Sequence, residues 1–328
     1  MQPAIESADL TLHFVFFNQR GLRAGWRWLI FGGTLYGFYS GLMLVLQYLQ
    51  KFAKQANPGA HPPTPDQLHF AFPILVGIFP FLGFGVVLSM TWIMSRIERR
   101  RVGTYGLPLT GSRALPRLAA GAVFGFLLLL VTLAVLRLLG VFYFGSVGLH
   151  GGEILVWGLL WGFTFLAVGL FEEFLFRGYA LYTLAEGIGF WPAAVIMALF
   201  FGRAHMGNGG ETYIGIGQVI VFALFASALL RRTGSLWLAV GTHAGWDWGQ
   251  SYFFGVSDSG FQSPGHLLNP HIQGPTWLSG GTVGPEGSVV TSIILLLATA
   301  AFLAFYREDR GAPILIKVEA DDLAQPFA

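Results

Sequence analysis

The stretch FEEFLFRGY, Phe171 to Tyr179, follows ILVWGLLWGFTFLAVGL, a run without a single charged residue. Two adjacent glutamates and an arginine thus close a segment that otherwise reads as a membrane-spanning helix. An ionisable side chain in such a helix costs at least about 2.5 kcal/mol, so it needs a partner, water or a chemical task. Glu173 and Arg177 stand four apart, on one helical face and in the favourable Glu-before-Arg order. Glu172 is rotated by about 100° from Glu173 and has no such local partner. A carboxylate left over in low dielectric has the character of a general base.

Composition widens this into a fold class. Of 328 residues, 54% are hydrophobic and 11% are charged, against about 25% charged in soluble domains. The mean hydropathy of +0.61 points the same way. The formal net charge of +2, with no basic run interleaved with aromatics, gives no footprint for nucleic acid. The chain has no cysteine, which excludes disulfides, thiolate metal sites and a cysteine nucleophile. Glu6 and Asp9 precede the first short apolar run and no basic leader is present, so no cleavable signal peptide is expected.

Apolar runs predict helices over 24–49, 69–95, 117–139, 153–185, 190–206, 213–230, 234–254 and 284–306. The expected fold is all-α, a polytopic membrane bundle of about eight transmembrane helices. Placement of Lys and Arg tests that count. Arg20, Arg23, Arg27, Arg96, Arg99, Arg100, Arg101, Arg113, Arg117, Arg177, Arg231, Arg232, Arg307, Arg310 and Lys317 fall on one side. Lys51, Lys54, Arg137 and Arg203 fall on the other. The bias puts both termini in the cytoplasm and fits a multi-pass protein of a bacterial cytoplasmic membrane. Residues 255–285 then form an external segment, rich in Gly, Ser and Pro and free of Lys and Arg, that reads as a cap or re-entrant lid.

Two further clusters join the first. In FGRAH, Phe201 and His205 are four apart in the fifth predicted helix. In HAGWD, His243 and Asp247 share a face of the seventh, where Asp247 either fixes the tautomer of His243 or meets a substrate itself. Two imidazoles and a free carboxylate from three helices can activate a water, and a further donor can hold an oxyanion. The plainer readings are structural. Glu173–Arg177 can simply lock the fourth helix to a neighbour, and a lone membrane His more often packs than catalyses. His266 and His271 lie in the external segment without metal-ligand spacing and read as solvated. Trp26, Trp28 and Trp191 read as interfacial anchors, and the repeated glycines as points of close helix approach. No HExxH, GxSxG, P-loop or dinucleotide fingerprint is present.

EEFLFR, FGRAH and HAGWD fit the patterns EExxxR, FxxxH and HxxxN/D, in that order on successive membrane helices. Together they resemble the CAAX-protease and bacteriocin-processing (CPBP) family of intramembrane endopeptidases, related to the type II CAAX prenyl protease. The resemblance divides the chain into N-terminal helices over 1–149, a catalytic core over 150–255, and the external segment, last helix and tail over 256–328. It implies a peptidase acting on a membrane-associated peptide or protein in the lipid bilayer, with its cavity open to the cytoplasm. Glu172 would be the general base, polarising water together with His205. His243 and Asp247 would stabilise the oxyanion, with Glu173, Arg177 and Phe201 in support. Asp247 stands where eukaryotic prenyl proteases carry Asn, so it must be protonated to donate, or else hold His243. A glutamate-type mechanism needs no cofactor. A zinc-dependent one would use Glu172, His205, His243 and Asp247 as ligands. In a bacterial host, which lacks prenylation, a prenylated CAAX protein is not the expected substrate. Two other functions fit the same residues: a non-catalytic immunity or scaffold protein, and a proton-relay transporter. The latter is disfavoured by the lack of inverted repeats.

Overall fold

Backbone groups in lipid find no water, so long apolar runs must satisfy themselves as helices. The structure is a computed structural model that describes residues 15–18, 21–59, 61–108 and 113–307. Its main helices are α1 (Ala24–Ala56), α2 (Ala71–Ile97), α3 (Ala114–Leu138), α4 (Gly152–Arg177) and α5 (Tyr179–Ile188). They continue with α6 (Phe190–His205), α7 (Tyr213–Thr233), α8 (Trp237–Trp248) and α9 (Val289–Phe305). By length and composition α1, α2, α3, α4 with α5, and α7 can each cross a membrane; α6 and α9 are shorter apolar helices. The protein is an all-helical integral membrane bundle.

Four predicted helices differ in extent, the first because it runs on to Ala56 and not only to 49. The span over 153–185 is two helices, broken at Gly178, whose backbone sits at φ −80°, ψ −130°. A Cβ there would lie 2.3 Å from the Phe174 carbonyl oxygen, so the break is built on a glycine. The span over 234–254 is α8 followed by a π-helical turn, Gly249–Phe253. The last helix starts at Val289, not 284, because Pro285–Gly287 forms a 3-10 turn and the Ser288 side chain caps Val290 N–H.

Helix α8 is the centre of the bundle, buried at every position from Leu238 to Asp247. Its approach to α3 is backbone against backbone. A Cβ on Gly121 would lie 2.3 Å from Leu238 O, and one on Gly125 2.0 Å from Thr242 O. The contact is reciprocal: a Cβ on Gly241 would lie 2.1 Å from Leu118 O, and one on Gly245 2.1 Å from Ala122 O. Glycines four apart on both helices are the small-residue interface that membrane helices use to pack without a hydrophobic driving force. Gly169 does the same for α4, where a Cβ would meet Val240 O at 3.0 Å. These contacts bring His243 beside the turn of α4 that carries Glu172 and Glu173.

Two short sheets depart from the all-helical reading, and one of them bears on the site. β1 (Phe142–Val147) pairs antiparallel with β2 (Leu268–Ile272), Phe142 opposite Ile272 and Val147 opposite Leu268. The pair ties residues 255–285 to the α3–α4 connection and makes that segment a cap. His271 is exposed within it, but His266 is half-buried against Gly255 and not solvated. At the opposite, basic face, Arg27 bridges Glu98 at 2.7 Å and Glu186 at 2.5 Å, while Arg100 also meets Glu186. Tyr105 and Tyr179 donate to Glu98. Burial pushes the Tyr105 hydroxyl well above its ordinary range, so it stays a donor. This network joins α1, the end of α2 and α5. Arg20, Arg310 and Lys317 lie outside the described residues.

Replacing Gly125 by Ala forces α3 and α8 apart and is expected to destabilise the protein by about 1–3 kcal/mol. Gly33 in α1 has no atom within 4 Å of its Cβ position, so Gly33→Ala serves as the control. Thermal unfolding in detergent should fall for the first and not for the second. Equal behaviour of the two variants would remove the special role of the α3–α8 contact.

Candidate active site

Glu172 and Glu173 occupy the last turns of α4, His205 ends α6, and His243 and Asp247 lie on α8. The sequence alone leaves a distance problem: along straight helices, His205 would rise about 22 Å from the start of its helix. Glu172 sits only about 7.5 Å above the end of α4. The chain beyond α4 supplies the missing length. Ten residues of α5 carry the chain about 15 Å further before α6 turns back. His205 Nε2 and Glu172 Oε2 then meet at 3.9 Å.

Glu173 is fully buried, and its Oε1 accepts from Arg177 Nη1 at 3.0 Å and from His243 Nδ1 at 2.9 Å. The pairing with Arg177 matches the sequence reading; the contact with His243 was not legible there. A carboxylate accepts, so Nδ1 of His243 carries the proton and Nε2 points into the site. The tautomer is therefore set by Glu173 and not by Asp247. Asp247 Oδ2 lies 3.5 Å from His243 Nε2, and Glu172 Oε2 lies 3.8 Å from the same nitrogen.

His205 is fixed in the same manner. Its Nδ1 is 2.8 Å from the Phe201 carbonyl oxygen, which can only accept, so Nε2 is the free nitrogen facing Glu172. The Phe201 ring packs on the His205 ring with centroids 4.5 Å apart. The Arg177 guanidinium lies over the other part of this layer, 4.4 Å from the Phe201 centroid. Thus Glu173, Arg177 and Phe201 form a floor under the two imidazoles.

Above that floor is a cavity of about 180 Å³, reached by Glu172, His205, His243 and Asp247. Residues that the motifs do not contain complete it. Asp258, Ser259 and Phe261 enter from the cap, Glu286 from the turn before α9, and Gln218 from α7. The cavity is therefore roofed by the segment over 255–285 and the turn before α9. Asp258 accepts from Ser251 Oγ at 3.0 Å, and Glu286 Oε2 accepts from Ser259 N and Oγ at 2.9 and 2.8 Å. Burial, then the neighbouring Asp247 charge, holds the Asp258 carboxyl well above the usual range. Burial raises Glu286 likewise. Their only sequence signal is an external segment that carries acids and no Lys or Arg, which by itself reads as ordinary polar loop.

Among the described residues, one group of three brings metal-ligand atoms within 4.8 Å of one another: Asp247, Asp258 and Glu286. Glu172 and the two histidines converge more loosely, through the 3.8 and 3.9 Å contacts.

A family model described as type II CAAX prenyl endopeptidase Rce1-like matches residues 152–249, from the start of α4 to just past α8. No curated protein and no solved structure matches the chain significantly. The matched segment contains all three ionisable clusters and omits the cap.

Glu173→Gln leaves the buried Arg177 without its counter-charge, a loss of about 3–5 kcal/mol. Adding Arg177→Met should recover part of that stability. A thermal-unfolding double-variant cycle checks it: strictly additive losses would show that the two side chains act separately.

Proposed function

We propose, from the match of residues 152–249 to the Rce1-like type II CAAX prenyl endopeptidase family model, that this protein hydrolyses a peptide bond of a membrane-associated substrate. The observation that carries the reading is the convergence of two oriented imidazoles on one carboxylate, Glu172, which no cation pairs directly. The gaps of 3.8–3.9 Å are too long for direct hydrogen bonds and suit a bridging water. Glu172 and the unprotonated Nε2 of His205 are both acceptors. A water that donates to both turns its oxygen lone pair toward the substrate carbonyl.

In this mechanism the water oxygen bonds to the scissile carbon while Glu172 takes its proton. The carbonyl electrons move to the oxyanion, which His243 meets through Nε2–H in its doubly protonated form. Glu173 at Nδ1 and Asp247 near Nε2 supply the negative charge that supports that form. Asp247 acts through His243 as its anchor; were Asp247 protonated, it would instead donate to the oxyanion directly. The proton held by Glu172 then passes to the amine nitrogen as the C–N bond breaks. Glu173 and Arg177 are positioning residues, and Phe201 packs the layer beneath.

The positive-inside bias supports cytoplasmic termini, and with that orientation the cap is external. Substrate then reaches the cavity from the membrane or beneath the cap. Zinc, if used, would be held by Glu172, His205, His243 and Asp247 and would supply Lewis-acid activation of the water.

Cleavage of a membrane-tethered peptide library by purified protein, followed by mass spectrometry, tests the reading. Glu172→Gln should lower kcat/KM by about 10²–10⁴. Undiminished cleavage in that variant would falsify the general-base role. A wild-type protein that performs its cellular role without cleaving any peptide would favour the immunity or scaffold reading. Loss of cleavage with chelator, restored by zinc, would move water activation to a metal.

A further inference from the structure

The cavity holds more acid than the proposed hydrolysis uses. Glu172, Asp247, Asp258 and Glu286 line it, whereas among the described residues His205 and His243 are the only basic side chains on its wall. Arg177 is spent on Glu173 below the floor. Glu172 faces the imidazoles, which leaves Asp247, Asp258 and Glu286 grouped within 4.8 Å. Asp247 is 4% and Glu286 9% exposed, so bulk water does little to screen them. Asp258 is half-buried beside them, and gathering three carboxylates in so poorly hydrated a space favours a counter-charge.

A second observation points to the same ligand class. Gln218 on α7 is 2% exposed and lines the cavity, and its side-chain carbonyl oxygen has no hydrogen-bond donor among the described residues. Its helix packs against the Pro285–Gly287 turn that carries Glu286. A buried carbonyl oxygen without a donor, in the wall of the same cavity as three carboxylates, marks a place short of a cation or proton donor.

We propose that Asp247, Asp258 and Glu286 bind a divalent cation of the oxygen-preferring class, calcium, magnesium or manganese. Oxygens no more than 4.8 Å apart can share a centre at about 2.0–2.6 Å from each. The group contains neither imidazole nor thiolate, which selects against zinc. Two of the three ligands come from the cap and its return turn, and the third from α8. The ion therefore ties the cap to the helix that carries His243, and it acts as a structural clamp on Asp247. This assignment uses neither Glu172 nor His205, which activate the water, and shares only Asp247 with the oxyanion side of the proposed hydrolysis.

The test uses the full chain in detergent, stripped with chelator and dialysed against calcium, magnesium or manganese chloride in turn. Bound metal is measured by elemental mass spectrometry alongside thermal unfolding. The expected result is one equivalent of at least one of these ions, with a raised Tm. Asp258→Asn and Glu286→Gln, separate near-isosteric variants, should each weaken binding at least tenfold, while Glu172→Gln, inactive as a hydrolase, should bind normally. Terbium luminescence sensitised through Trp246, which lines the cavity, gives an independent readout in the unaltered protein and should be quenched by the bound ion. No saturable binding overturns the proposal, as does binding that survives both cap variants. Binding abolished by Glu172→Gln or His205→Ala, but kept in the cap variants, would place the metal at the imidazoles instead.

Discussion

One carboxylate oxygen, Glu173 Oε1, accepts from Arg177 within its own helix and from His243 on α8, and both hydrogen bonds are withdrawn from solvent. In so apolar a bundle neither charge is tolerable alone, so each fixes the others. The α4 register determines where Arg177 lies, Arg177 holds Glu173, and Glu173 orients the imidazole of His243. The adjacent Glu172 is thereby turned away from the pair and toward the cavity.

That hydrogen bond can form only because backbones approach closely enough. Gly121 and Gly125 on α3 fit against Gly241 and Gly245 on α8, and Gly169 admits α4 to the same helix. With α8 packed on two sides, its polar residues have nowhere to go except the shared interior. His243 and Asp247 are thus committed to the site by the packing of the residues around them. The chain beyond α4 solves a separate problem of height, since α5 provides the run of chain that lets the far end of α6 return to the level of Glu172.

The cap changes what the cavity is. The motif residues line its floor and one wall, and Asp258, Ser259, Phe261 and Glu286 close the remainder. It stays in place through the pairing of β1 with β2 and through Glu286, whose carboxylate holds Ser259. The family match stops at residue 249, before this segment begins.

Much of the membrane bundle was legible in sequence, because lipid offers a chain few options. Apolar runs of sufficient length must be helices, and basic residues mark the connections of one face. Spacing of four also put Glu173 with Arg177, Phe201 with His205 and His243 with Asp247, since helical geometry is local. What spacing cannot convey is which face of one helix meets which face of another. The Glu173–His243 bond joins residues 70 apart in sequence, and the grouping of Asp247 with Asp258 and Glu286 needs a loop to fold back over the bundle. Hydropathy marks that loop only as polar. Its carboxylates acquire meaning when tertiary packing removes them from water, because charge that is inexpensive in a solvated loop is costly inside a cavity.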